Sequence, residues 1–204
     1  MKLPLITLLL FSTLFFLDLR ADSPLTSTQF HTVYTDVEIV QKAVNTNGII
    51  NAEMMDFILK PSNAVDQKLA LINALSWNYN GKNNYDIFIE YAIQKKYKSA
   101  SKLMKKASGE LMICLAYLKA MDNYFSVSEA IELSKKAQLK SPGSYSVNLI
   151  AGLIQAQQEM ESNWCNVYAL TNDVRLNNSL SMDMREEASV VIFEYMDLYA
   201  EYCE

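Results

Sequence analysis

The side chains able to do chemistry are few, and their spacing does not assemble them. One histidine, His31, stands in a Thr-, Ser- and Gln-containing stretch ahead of the first expected helix. An imidazole acts as acid or base only when a rigid frame holds its partners, so His31 reads as solvated or loosely packed rather than catalytic. Cys114, Cys165 and Cys203 show no CxxC spacing, and a single histidine cannot complete the usual zinc sets. Neither a Gly-rich phosphate loop nor a GxSxG elbow is present. Glu186, Glu187, Glu194, Asp197, Glu201 and Glu204 make the C-terminus acidic. They mostly alternate with an apolar stripe, whereas glycoside hydrolysis needs two carboxylates aimed into one cleft. The reading is no catalytic residue, no metal site and no cofactor.

Binding chemistry has two candidates. Lys95, Lys96, Lys98, Lys102, Lys105 and Lys106 place six positive charges within twelve positions. If that stretch is helical, Lys95, Lys98, Lys102 and Lys105 share one side. Such a row could meet an anionic lipid surface, a glycan or an acidic protein, although a plain solvated face is the favoured reading. Trp77 and Tyr79 precede Asn80-Gly81-Lys82-Asn83-Asn84-Tyr85, so aromatic and amide groups gather around one turn. Carbohydrate sites use such groups, and so do Tyr- and Trp-rich protein interfaces. Core packing plus ordinary turn chemistry is again favoured. An odd cysteine count leaves at least one thiol unpaired. Cys114 sits among apolar residues as a small buried hydrophobe. Cys165 and Cys203 fall near helix ends and towards one end of the stack if the last helices alternate in direction. A Cys165–Cys203 disulfide is open, with three free thiols preferred.

The N-terminus speaks for location. Met1-Lys2, an apolar run of 15 residues from Leu3 to Leu17, and Leu19-Arg20-Ala21 before Asp22 form the three parts of a secretory signal peptide. The run is short of the roughly 20 residues a membrane span needs. Cleavage after Ala21, and a periplasmic or secreted protein with no stable span, are the expectation. Removing residues 1–21 takes away Lys2, Arg20 and Asp18, so 18 basic and 23 acidic residues become 16 and 22, a net charge of −6. That balance favours solubility and argues against a nucleic-acid partner. The roughly 180 residues that remain suit one domain with a continuous core.

The elements are helical. Beyond Pro24 only Pro61 and Pro142 interrupt the chain, and it has five glycines in all. Ala188, Val191, Ile192, Tyr195, Met196 and Tyr199 recur with helical period, as do Val147, Ile150, Ala151 and Ile154. About nine helices are predicted, near 36–45, 52–60, 63–79, 84–97, 100–122, 127–140, 145–161, 164–177 and 182–203, the fifth breaking near Gly109. Thr35-Asp36-Val37-Glu38 and Ser126-Val127-Ser128-Glu129 fit capping boxes, and Asn51, Ser62, Asn84 and Ser181 are simpler caps. Residues 22–34 read as a flexible segment, 35–204 as one all-α domain, and 182–203 as its capping helix.

Residues 130–142, with Ala130, Ala137 and Pro142 at the first, eighth and thirteenth places and Ala151-Gly152 beyond, resemble the second helix of a tetratricopeptide repeat and the start of the next. A weaker echo runs from Ala70 to Tyr91 through Ser76, Tyr79, Tyr85 and Phe88, and the resemblance spans residues 63–177 at offsets of 39 and 37 residues. The stretch 34–81 also resembles exported bacterial helical proteins. The resemblance implies stacked antiparallel helix hairpins, as an α-solenoid or a compact right-handed array, which commonly bind proteins or peptides. An exported, non-enzymatic protein-binding or scaffold module is the preferred expectation. An enzyme or enzyme accessory acting on envelope polymers, and a specific inhibitor or immunity-type partner, are the alternatives.

Overall fold

The computed structural model describes residues 23–77, 82–160 and 162–203. The expected signal peptide at 1–21 and the candidate Tyr79 lie outside them. The described residues form α1 (Pro24–Ser27), α2 (Glu38–Val44), α3 (Ala52–Leu59), α4 (Val65–Leu75), α5 (Asn84–Ala92), α6 (Ala100–Lys106), α7 (Gly109–Asp122), α8 (Ser128–Lys140), α9 (Tyr145–Glu159), α10 (Trp164–Leu176) and α11 (Glu186–Met196). Short 3-10 turns cover Phe30–Val33 and Asp197–Tyr202, and a π-turn covers Ile93–Tyr97. No β-strand occurs among the described residues.

Apolar sequence decides which helices are central. In α7, Leu111 to Leu118 are all buried, because a helix apolar all round must have neighbours on every side. It touches α4, α5, α8 and α9. The helix starts at Ser108, whose Oγ accepts the Leu111 amide at 3.2 Å, and α6 ends at Lys106, so the predicted break near Gly109 is present. A Cβ at Gly109 would stand 2.6 Å from Cβ of Ser141, so the start of α7 packs against the end of α8. The two helices are therefore antiparallel. Likewise Gly152 of α9 lies against α10, where a Cβ would meet the Leu170 carbonyl at 2.9 Å. The amide of Tyr145, first in α9, bonds Ser181 beyond the end of α10, so these two are antiparallel also.

Long-range partners displace several predicted caps. The box at Thr35–Glu38 does not cap α2, which begins at Glu38 after Val37 with no side-chain cap, and Asp36 inside it gives both oxygens to the Arg185 guanidinium at 2.6 and 2.9 Å. Asn84 turns its amide to Ile50 N and Gly48 O at 3.0 and 2.9 Å. Asp122 instead accepts the Tyr85 amide at 2.7 Å. Ser126 is no cap either, since α8 begins at Ser128, and Ser62 and Ser181 lie outside the starts of α4 and α11. The predicted capping helix at 182–203 begins only at Glu186 and tightens to 3-10 after Met196. Asp183 is held at the start of α9, accepting Ser144 Oγ and Ser146 N at 2.5 and 2.7 Å. Asn51 does cap α3, accepting from Met54 N at 3.1 Å.

Residues 23–34 are not a flexible segment. Leu25, Phe30 and Tyr34 are buried in the same core that runs on to Tyr199. Alpha1 lies against α7, α9 and α11, and the Phe30–Val33 turn lies against α4 and α11. Burying three large apolar side chains stabilises by several kcal/mol, roughly 1.5–3 for each, which offsets the entropy of ordering a short polar stretch.

Candidate functional site

The docked N-terminal segment builds one wall of a groove, and a buried amide holds that wall in place. Asn73 of α4 accepts His31 N through Oδ1 at 3.0 Å, with His31 Nδ1 2.7 Å from the same oxygen. Its Nδ2 donates to Thr28 O at 3.0 Å and Tyr117 OH at 2.8 Å. Phe30 stacks on Tyr117 with ring centroids 6.4 Å apart. Tyr34 donates to Asp66 Oδ2 at 3.0 Å, and burial raises its phenol pKa. Arg185 closes the far end, with its guanidinium 4.4 Å from the Tyr34 ring centre and bonded to Val33 O. His31 is thus half-buried and structural in its contacts, on a rigid frame rather than a solvated one.

The second wall comes from the end of α4. Ser76 has φ 58° and ψ −173°, a backbone region sparsely populated outside glycine and costing roughly 1–3 kcal/mol. Lys82 holds the turn by donating its amine to Leu75 O and Ser76 O at 2.6 and 2.5 Å. Burial lowers the Lys82 pKa to about 8, against a smaller upward pull from Asp122. The turn directs Trp77 edge-on to Tyr124 at 5.3 Å, and Tyr124 packs on Phe125 at 4.2 Å. Phe125 remains 75% exposed.

The third wall is α11 and the turn after it, supplying Val191, Tyr195 and Leu198. With Thr26, Ser27, Gln29, Thr32, Ser76 and Glu194, these residues and Trp77 line an open groove of about 860 Å³. Leu198 is 64% exposed at its edge. An apolar floor with hydroxyl and amide groups around it is the usual make-up of a recognition site. Sequence reasoning singled out Trp77 but missed Val191, Tyr195 and Leu198. Val191 and Tyr195 sit in the apolar stripe of α11, and helical period alone does not separate a core position from a groove wall.

The lysines do not form one helical row. The chain passes through the π-turn, Lys98 adopts φ 64°, and Ser99 starts α6 afresh by accepting Lys102 N at 3.3 Å. Lys95 and Lys98 are therefore on a different element from Lys102 and Lys105. Lys95 is 3.7 Å from Asp56 and 5.2 Å from the Tyr91 ring centre.

A smaller polar cavity, about 220 Å³, lies beside α7 and is lined by Lys82, Tyr85, Asp86, Lys119, Asp122 and Glu129 among others. Its charges are largely engaged. Lys119 pairs with Glu129 at 2.9 Å and covers the Tyr85 ring, and Asp122 caps α5. Desolvation raises the Asp122 pKa against the hydrogen bonds that lower it. Asp122 Oδ1 is buried without a partner among the described residues. No set of three His, Cys, Asp or Glu groups fit to hold a metal occurs among the described residues.

Cys165 and Cys203 are joined by a disulfide with Cα atoms 4.7 Å apart, in place of the preferred free thiols. It ties the last turn to the start of α10, where Trp164 meets Tyr202 edge-on at 4.5 Å. Cys114 is a buried free thiol whose pKa burial pushes up to about 12.

No protein-family model, no curated protein and no solved structure matches the chain.

Proposed function

We propose that this protein is an exported, non-enzymatic binding module, a stack of helix hairpins whose groove receives an extended peptide segment of a partner protein. The observation that carries this reading is the groove itself, whose walls set Trp77, Val191, Tyr195 and Leu198 beside hydroxyl, amide and carboxylate groups that include Glu194. The consecutive antiparallel pairs α7–α8 and α9–α10, with buried Ala130 and Ala137 and the close approach at Gly152, support a repeat-like array. In such arrays extended ligands commonly lie along the inner helices. Here residues 23–34 lie against α4, α7, α9 and α11 and supply one wall of the groove. The groove beside this segment is open to a partner. Strain at Ser76 supports the same location, because strained backbone clusters at binding sites. Export is supported by the apolar N-terminal run and by the Cys165–Cys203 disulfide, which persists in oxidising compartments. No helix among the described residues is long and apolar enough to cross a membrane.

The test is site-specific photocrosslinking in the native envelope, with a benzophenone amino acid at Leu198 or at Leu176, which is equally exposed at 66% outside the groove. A discrete adduct from position 198 and none from 176 is expected. Equal or absent adducts from both positions would remove the groove as the site.

A second reading rests on the polar cavity, where Lys82 and Asp122 are both shifted towards neutrality, as acid–base pairs are in enzymes. It predicts cleavage of an envelope polymer by the purified chain, abolished in Asp122→Asn. Absence of any turnover leaves binding as the function.

A further inference from the structure

We infer that the lysine-rich end of the molecule docks on an anionic lipid surface, a role separate from the groove. The broken row of the π-turn and α6 gathers charge more densely than a single helix face would. Leu103 in α6 and Ala107 at its C-terminal cap are buried while Lys102, Lys105 and Lys106 are exposed, and helical spacing sets Lys105 opposite the buried pair with Lys102 and Lys106 flanking it. Lys96 and Lys98 lie exposed just before them. Alpha8 brings more charge to the same end, for Lys140 Nζ donates to Ala107 O at 2.5 Å and reaches Met104 O and Lys105 O at 3.4 Å. Lys136 lies one turn before Lys140 on α8. Among the described residues, Lys96, Lys98, Lys102, Lys105, Lys106, Lys136 and Lys140 have no carboxylate at ion-pairing distance. Each ion pair of the molecule uses other cations.

This concentration of unpaired positive charge stands on a chain of net charge −5, so the complementary partner is anionic. Three features favour a lipid surface over an acidic protein. Every basic residue at this end is lysine, a point charge suited to a diffuse field, whereas bidentate recognition uses arginine. Arg175 and Arg185 are both spent internally, on Asp197 and Asp36. Leu139, next to Lys140, is 82% exposed, and a protruding leucine between lysines gains from entering the headgroup region.

The test measures partition of the full chain on vesicles of phosphatidylcholine alone and of phosphatidylcholine with phosphatidylglycerol, so that any apolar contribution common to both cancels. Wild type is compared with Lys102→Gln/Lys105→Gln and with Lys42→Gln/Lys60→Gln, which removes the same charge elsewhere. Preference for the anionic vesicles is expected, falling roughly 25-fold in the first pair, at about five-fold per lysine, and little in the second. Equal partition on both vesicles, or equal loss in both pairs, would overturn the proposal. Binding to polyglutamate with no vesicle preference would overturn it in favour of an acidic polypeptide.

Discussion

Replacing Asn73 by alanine should cost the fold about 2–4 kcal/mol, because that amide is the point at which residues 23–34 are fastened to α4 and α7. The substitution removes the partner of Tyr117 OH and of His31 N, and one of the two donors to Thr28 O, which keeps the Phe30 amide at 3.0 Å. Each buried polar group left unpaired costs roughly 1–3 kcal/mol. Tyr117 is fully buried and bears that cost in full, Thr28 O loses only one of its two bonds, and water can reach the half-buried His31. The vacated amide volume adds a smaller packing loss. Against total stabilities of roughly 5–15 kcal/mol the change is large. Urea unfolding should show a lower midpoint with an unchanged slope. A double-mutant cycle with Tyr117→Phe should show coupling of about 1 kcal/mol, since the two share a hydrogen bond. A loss below about 1 kcal/mol, or complete additivity, would refute the claim that this network fastens the segment.

Three further outcomes follow from the same structure. Cys165→Ala/Cys203→Ala should lower stability by up to about 4 kcal/mol, the loop-closure value for a sequence separation of 38 residues, and wild type under reductant should lose the same amount in urea titration. Cys114 should resist thiol reagents at neutral pH until the chain unfolds, because its thiol is buried and its pKa stands near 12; fast labelling of the native protein would contradict that burial. Lys82 is depressed from 10.5 to about 8, so between those values the unfolded chain holds a proton that the folded lysine has released. Its contribution to stability should therefore rise with pH across that window, read as the difference between wild type and Lys82→Met, and a flat or falling difference would contradict the shift.

The elements that local pattern decides were legible, and those decided by distant partners were not. Ala130, Ala137 and Pro142 mark α8 and its end, and the stripe from Ala188 to Tyr199 marks α11 and the turn after it. The same residues carry helical period and burial, so one signal serves both. Residues 23–34 read as polar and loose because their stabilising partners, Asn73, Tyr117 and Arg185, lie more than 40 positions away. The capping box at Thr35–Glu38 failed in the same stretch, where α2 begins only at Glu38 and Arg185 holds Asp36 with two charge-assisted bonds. The lysine row depended on helical continuity through Lys98, which the π-turn and a positive φ remove. Trp77 was visible as an aromatic beside a turn, whereas the rest of the groove wall required the packing of α11 against the N-terminal segment.

The central claim is that the groove walled by Trp77, Val191, Tyr195 and Leu198 is where a partner peptide binds. The most direct measurement is calorimetric titration of the peptide identified by the position-198 crosslink into wild type and into Trp77→Ala. A truncated aromatic anchor costs roughly 2 kcal/mol or more at an interface centre, so affinity should fall about thirty-fold or more while urea stability changes far less. Unchanged affinity in Trp77→Ala would contradict the account and leave the groove without a role.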